Sequence, residues 1–129
     1  VAKEISNELQ LKEDLKIHQG YFSQLFESSP EAIAIVDNHD RILNVNGGFE
    51  DLFNYSLNDV KGLFISIIVP DELSREASQI SSRACFGEII KTETIRKRKD
   101  GTGINVSVLG YPVTLKDGHM GICWIFSDN

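Results

Sequence analysis

The sequence has few cysteines, no long hydrophobic run and no methionine at its start. No apolar stretch approaches the ~20 residues that a membrane-spanning helix needs, and no signal-peptide pattern opens the chain. The chain starts at Val1 and its only methionine is Met120, so we expect a cytoplasmic piece of a longer protein. The two cysteines, Cys85 and Cys123, fit no metal-ligand or redox spacing and are predicted to be buried free thiols.

Cations are also scarce, since 13 Lys and Arg residues stand against 19 Asp and Glu residues and give a formal net charge of −6. This balance argues against contact with nucleic acid or with an anionic membrane. Four cations nevertheless follow one another from Arg96 to Lys99, directly before Asp100 and Gly101. No stacking aromatics cluster there, so we interpret the run as the solvated end of a strand that enters a hairpin turn.

No pattern typical of catalysis or metal binding is visible. The histidines, His18, His39 and His119, fall in a predicted leading helix and in turns. Glu72 and Glu76 stand at helical spacing and are predicted to form a solvated helix face, and no nucleophile–base pair accompanies them. We therefore predict no metal site and no enzymatic activity for this chain.

Hydrophobic periodicity divides the chain into a leading helix and an α+β domain. Residues 1–20 carry a narrow apolar stripe on a polar background and are assigned to an amphipathic helix for linkage or dimerisation. Residues 21–129 form the domain, with helix starts predicted at Asn46, Ser56 and Pro70. Its strands are predicted in AIAIVD and RILNV, joined as a hairpin, and in three later segments with Asp-Gly turns between them: Ile89–Arg98, Ile104–Leu115 and His119–Ser127.

Several motifs, taken in order, resemble the PAS domain, a sensory module of bacterial signalling proteins. The resemblance covers roughly Tyr21 to Asn129 and rests on LFESSPEAIAIVD, DRILNVNGGFEDLFNYS, RKRKDGT and the final FSDN. It implies a five-stranded antiparallel sheet with a helical segment over one face. Asn54 stands where the family often has Gly, a mild departure because Asn tolerates left-handed backbone. Asp128 stands where the family's closing signal-relay motif begins, and Asn129 replaces the Ile of that motif.

The resemblance also implies a small cavity between the sheet and the helices, with room for a small-molecule ligand. The implied ligand-binding residues are Ala34, Val36, Phe49, Phe53, Ile80, Ala84, Arg96, Val106, Val108, Trp124 and Phe126. For Arg96 the family register points inward, whereas alternation alone would equally turn Ile95 inward. A buried Arg needs an anionic partner, which is either a ligand carboxylate or an internal acid. Trp124 either stacks on a planar ligand or fills the space that a ligand would need.

Two cofactors are argued against, and the identity of the ligand stays open. Haem needs an axial His, and none of the histidines falls on the long helix where haem-binding relatives carry theirs. Photosensory flavin relatives have a cysteine in an Asn-Cys-Arg-Phe stretch, whereas Cys85 is followed by Phe86 and Gly87. Neither haem nor covalent flavin is therefore expected.

The first and last strands are apolar on both faces, which predicts a second layer of packing. Ile33, Ile35, Cys123 and Ile125 cannot share the cavity face, so the outer face of the sheet needs cover. We predict a homodimer whose interface contains Ile5, Leu9, Leu15, Phe22, Ile33, Ile35 and Ile125. The predicted function is a sensor that signals to an effector domain in the same chain, such as the histidine kinase of a two-component system or a diguanylate cyclase. The alternative is a ligand-free dimerisation module.

Overall fold

The structure is a computed structural model, and it describes residues 23–129. The predicted leading helix, with Ile5, Leu9, Leu15 and Phe22, lies outside the described residues. A helical segment over 23–28 comes first. The strands that follow are β1 (Ala32–Asp37), β2 (Ile42–Val45), β3 (Ile90–Lys97), β4 (Gly103–Thr114) and β5 (Met120–Asp128). The helices are α1 (Gly47–Phe53), α2 (Leu57–Val60) and α3 (Ser74–Cys85), with 3-10 turns at Ile65–Ile68 and Asp71–Leu73.

The strands form one five-stranded antiparallel sheet in the order β2-β1-β5-β4-β3. The hairpin and the three-strand meander are therefore confirmed, and pairing of β1 with β5 joins them into one sheet. In that pairing Ala34 stands opposite Trp124, so both point to the same face. The helices between β2 and β3 cover that face, which confirms the α+β class.

The helices begin at the residues that the sequence indicates, with one exception. Asn46 caps α1 by accepting from the Phe49 N–H at 2.9 Å, and Ser56 caps α2 in a reciprocal capping box. Asn54 ends α1 in the left-handed conformation, with φ of 62°. The predicted start at Pro70 is wrong by four residues, because Pro70 opens a 3-10 turn first and the α-helix begins at Ser74.

The core lies between the inner face of the sheet and the helices. Strand alternation turns the predicted inward residues of β1, β4 and β5 into this core, and all of them are buried: Ala34, Val36, Val106, Val108, Ile122, Trp124 and Phe126. Phe49 and Phe53 of α1 pack there with their ring centroids 4.8 Å apart. Phe53 in turn meets Phe126 edge-on at 5.4 Å, so α1 is fixed against β5.

The basic run lies at the end of β3 and enters the Asp100-Gly101 turn, as predicted, but it is not solvated throughout. Arg96 is buried in the core. The Nε of Arg98 donates to the carbonyl of Leu52 at 3.1 Å, and the backbone N–H of Lys99 donates to the carbonyl of Phe53 at 2.9 Å. The last carbonyls of a helix have no partner within it, so this run docks the β3–β4 turn onto the end of α1.

Candidate ligand cavity and its surroundings

A small cavity lies between α3, the first 3-10 turn and the inner face of the sheet. It leaves about 20 Å³ for the centre of a water molecule, which is room for about one water. Its lining is mostly apolar and comes from both layers: Ile65, Ile68, Val69, Ala77, Ile80, Ser81, Arg96, Val108, Trp124 and Phe126.

The structure brings some of the predicted ligand-binding residues to this cavity and places the others elsewhere in the core. Those that line it are Ile80, Arg96, Val108, Trp124 and Phe126. Those that do not line it are Ala34, Val36, Phe49, Phe53, Ala84 and Val106, all of which are buried. Sequence reasoning missed Ile65, Ile68 and Val69 in and just after the first 3-10 turn. It also missed Ala77 and Ser81, although they lie three residues before and one after Ile80, on the helix face that the 3.6-residue period assigns to the core.

Trp124 lies against the glycine that pairs with it on the neighbouring strand. Trp124 and Gly110 are register partners across β5 and β4. A Cβ at Gly110 would collide with Cε3 and Cζ3 of the indole, so the ring edge touches the glycine backbone. The opposite edge carries Nε1, which is buried and has no hydrogen-bond partner within the described part of the chain. The ring is therefore fixed on one edge and has an unused donor on the other.

Arg96 points inward, as the family register implies, and its partner is an internal acid. Its Nη2 lies 3.1 Å from Oε1 of Glu76, and its Nη1 lies 3.2 Å from Oε2. Thr94 also donates to Oε2, at 2.7 Å. The prediction that Glu76 belongs to a solvated face is therefore wrong, because the first turn of α3 brings it over β3. Glu72 is exposed, as predicted.

The Glu76 carboxyl is held in its charged form by this pairing. Burial alone would raise the pKa of Glu76, but hydrogen bonds from Arg96 and Thr94 and the charge of Arg96 outweigh it, so the pKa lies below its ordinary value. Glu76 is thus ionised at neutral pH. A bidentate Arg–carboxylate pair is among the stronger polar contacts in proteins.

A larger open groove adjoins the cavity on the solvent side. It holds about 310 Å³ and shares Ile65, Val69, Ala77 and Ser81 with the cavity. Its rim is polar and acidic, with Asp40 and Asp71 among serine hydroxyls. These shared residues form a wall that the groove and the cavity have in common.

Asp40 stands at the end of this groove in an unusual conformation. Its backbone is left-handed, with φ of 64°, and its carbonyl accepts from the Ile65 N–H at 2.8 Å. Its Oδ1 is buried and has no hydrogen-bond partner among residues 23–129. The pKa of Asp40 lies above its ordinary value. Burial raises it most and the charge of Asp37 raises it further, and together they outweigh the lowering by Ser81.

The outer face of the sheet carries a second, broader depression of about 820 Å³. The predicted interface residues Ile33, Ile35 and Ile125 are half-buried on this face. Cys123 is buried beneath it, as predicted, and its contact with Tyr111 raises the pKa of that tyrosine to about 12. The part of this face where β1 pairs with β5 is therefore apolar, whereas the depression also has Lys116 and Asp117 in its lining.

The other thiol and the relay residue lie at the surface. The prediction that Cys85 is buried is wrong, because Ala84 takes the inward position at the end of α3 and Cys85 is exposed, its Sγ 3.8 Å from the Asn38 carbonyl. Asp128 ends β5 opposite Val106 and is exposed.

Two further features bear on the kind of protein. Within residues 23–129, no group of three or more His, Cys, Asp or Glu side chains could hold a metal ion. No helix in that same part of the chain is long and apolar enough to cross a membrane.

Comparison with known proteins gives one family and many solved structures. The family model described as the PAS fold matches residues 20–128. No curated protein matches the chain. Among solved structures, a domain of a sensory box sensor histidine kinase/response regulator from Geobacter sulfurreducens is 23% identical with a TM-score of 0.76, covering 88% of this chain and 96% of its own.

Two other structures are similar over most of their length. The PAS domain of an HTR-like protein from Haloarcula marismortui is 25% identical, with a TM-score of 0.72 and coverage of 88% of this chain and 99% of its own. The PAS domain of a LuxR-family transcriptional regulator from Burkholderia thailandensis, solved in complex with ethanol, is 20% identical, with a TM-score of 0.69 and coverage of 83% and 96%. The ordered motifs, the sheet order and the match over residues 20–128 together show that the chain belongs to the PAS fold family.

Proposed function

We propose that this chain is the sensory domain of a larger signalling protein, which binds a small molecule in its core cavity and passes a conformational change to an effector in the same chain. The PAS fold and its occurrence in a sensor histidine kinase support a signalling role. A histidine kinase or a diguanylate cyclase is the effector type that we propose. The cytoplasm of a bacterium is the proposed location.

The observation that carries this proposal is the unpartnered Nε1–H of Trp124 in the core. A buried donor without an acceptor destabilises the fold by about 1–3 kcal/mol. In the part of the chain that the structure describes, nothing accepts this hydrogen bond. A bound molecule that supplies an acceptor would recover that free energy, so binding would stabilise the folded state.

A route from the cavity to the end of the domain follows from the sheet. Trp124 and Phe126 line the cavity, and β5 carries them two residues apart towards Asp128. β5 is paired on both sides, with β1 and with β4. A ligand that bound one conformation of Trp124 more tightly than another would shift the populations of these two conformations. The resulting movement of β5 would reach Asp128 at its end and pass from there to the effector.

Native mass spectrometry of gently purified protein tests the proposal. We expect extra mass that disappears on denaturation, and we expect members of a metabolite library to raise the melting temperature of the 129-residue chain. A clean apo protein that no compound stabilises would contradict the sensory proposal.

The small cavity and the apolar outer face favour a second candidate, a ligand-free dimerisation module. Trp124 would then fill the space of a ligand, and the half-buried Ile33, Ile35 and Ile125 would pack against residues 1–26 or a second copy. A homodimer is proposed in either case. Deletion of residues 1–19 should weaken the dimer in light scattering, and an unchanged dimer would refute this interface.

A further inference from the structure

Two of the polar residues that line the cavity have side chains that can only donate hydrogen bonds. Arg96 and Trp124 line it, and neither a guanidinium nor an indole N–H can accept a hydrogen bond. Ser81, the hydroxyl among the lining residues, also lines the groove, where it lowers the pKa of the Asp40 carboxyl. A molecule that suits this cavity therefore has to supply acceptors.

Because Arg96 is charged, we expect the hydrogen-bond acceptor of the ligand to be an anion. Its side chain is 3% exposed, whereas that of Glu76, its present partner, is 33% exposed at the start of α3. A buried guanidinium needs an anionic partner, but a partly exposed carboxylate can turn towards water and remain charged. Arg96 is thus the fixed member of the pair, and Glu76 is the exchangeable one.

We propose that the cavity recognises a small monocarboxylate, which replaces Glu76 on the Arg96 guanidinium and accepts a hydrogen bond from Trp124 Nε1–H. The inference rests on the proposed sensory function and names its ligand class. Because the cavity has room for about one water, the ligand carries no more than a short alkyl chain. Asp40 and Asp71 on the groove side repel a second negative charge, which disfavours dicarboxylates and phosphates.

The exchange would also release the start of α3 from β3. Glu76 accepts from both Thr94 and Arg96 of β3, so it links the helix to the sheet. When a ligand carboxylate takes its place, Arg96 keeps one anionic partner and the charge of the cavity is unchanged. α3 loses this link, and the ligand shifts the population towards the state in which the helix start is free.

The single tryptophan gives a direct readout of this binding. In nitrogen–proton correlation spectra of the 129-residue chain, the one indole N–H resonance is followed while sodium acetate or sodium propionate is added at constant ionic strength. Acetamide and propionamide are the uncharged controls of matching shape. We expect a saturable shift with the acids and none with the amides.

Substitution of Glu76 separates exchange from simple binding. Glu76→Gln removes the competing charge at similar size, so the Kd for acetate from calorimetry should fall about tenfold, which is about 1.4 kcal/mol. Glu72→Gln removes an exposed carboxylate four residues away and should leave the Kd unchanged. Trp124→Phe keeps an aromatic ring without the N–H and should raise the Kd about tenfold, by loss of one hydrogen bond to a charged group.

The outcomes distinguish this inference from the function on which it rests. No saturable shift with either acid, or an unchanged Kd in Glu76→Gln, would overturn the carboxylate proposal. If an uncharged compound from the metabolite library binds where the acids fail, the ligand class is wrong and the sensory function stands. If no compound of either kind binds, the sensory function fails as well.

Discussion

Asn46 is the residue whose replacement tests most directly how the domain is held together. Its side chain is fully buried and makes four hydrogen bonds. Oδ1 accepts from the N–H groups of Ile33 and Phe49 at 2.8 and 2.9 Å. Nδ2 donates to the carbonyls of Phe26 and Glu31 at 2.8 and 2.9 Å. One amide therefore joins the first helical segment, β1 and α1.

The expected loss follows from these four contacts. Loss of an N-cap destabilises a helix by about 1 kcal/mol. Removal of the other three bonds, each a buried backbone group left without its partner, adds roughly 1 kcal/mol apiece at the lower end of the usual range. We therefore expect Asn46→Ala to lower the free energy of unfolding by about 4 kcal/mol.

A shorter capping residue separates the two contributions. Ser caps as well as Asn but cannot reach the two carbonyls, so Asn46→Ser should recover about 1 kcal/mol relative to Asn46→Ala. Asn105→Ala removes an exposed amide on β4 and should change stability by less than about 0.5 kcal/mol. Urea unfolding, followed by circular dichroism with linear extrapolation, measures all three variants. A loss under about 1.5 kcal/mol in Asn46→Ala would refute the reasoning, since it would mean that water replaces the side chain without penalty.

Three further predictions concern the cavity and the thiols. Gly110→Ala should displace the Trp124 ring and lower the free energy of unfolding by about 1–3 kcal/mol. The fluorescence emission of the only tryptophan should then shift to the red, and unchanged emission would contradict the packing against Gly110. The pKa of Glu76 is lowered in the folded state, so its contribution is present at neutral pH and is lost as pH falls through that lowered pKa. The stability difference between wild type and Glu76→Gln should therefore shrink below about pH 4.5, and a constant difference in acid unfolding would argue against the Arg96 pair. Burial raises the pKa of both thiols, but Cys85 is exposed and Cys123 is buried, so Cys85 should react with a thiol reagent at least about a hundredfold faster. Equal labelling rates by mass spectrometry would contradict the burial of Cys123.

Features that depend on near neighbours along the chain could be predicted from the sequence. The capping residues Asn46 and Ser56 each satisfy an N–H group three residues later, so their role can be read from type and position. The Asp-Gly turns join β3 to β4 and β4 to β5, with Gly101 and Gly118 at positive φ. The family register, continued along β5 by two-residue alternation, indicated which side chains of that strand point inward. The order of motifs along the chain then indicated the family.

Features that depend on residues distant in sequence could not be predicted. Glu76 stands twenty residues before Arg96, and at the sequence level it is one of several acids on a polar helix. Only the packing of α3 over β3 shows that Glu76 is the acid that pairs with Arg96. Arg98 likewise bonds to the Leu52 carbonyl, 46 residues earlier, so a run that the sequence indicated to be solvated docks a turn onto a helix end.

The size of the cavity was also decided by tertiary structure alone. The indole ring of Trp124 packs against β4 because the strand register places it opposite Gly110. Gly110 has no side chain, so there is space for the edge of the ring. By itself, the sequence determined the strands and two of the three helix starts, because each depends on residues close together along the chain, and the order of its motifs indicated the family and the inward face. The tertiary structure decided which acid meets Arg96, which residues line the cavity and how little space remains, because these depend on how closely separate elements pack.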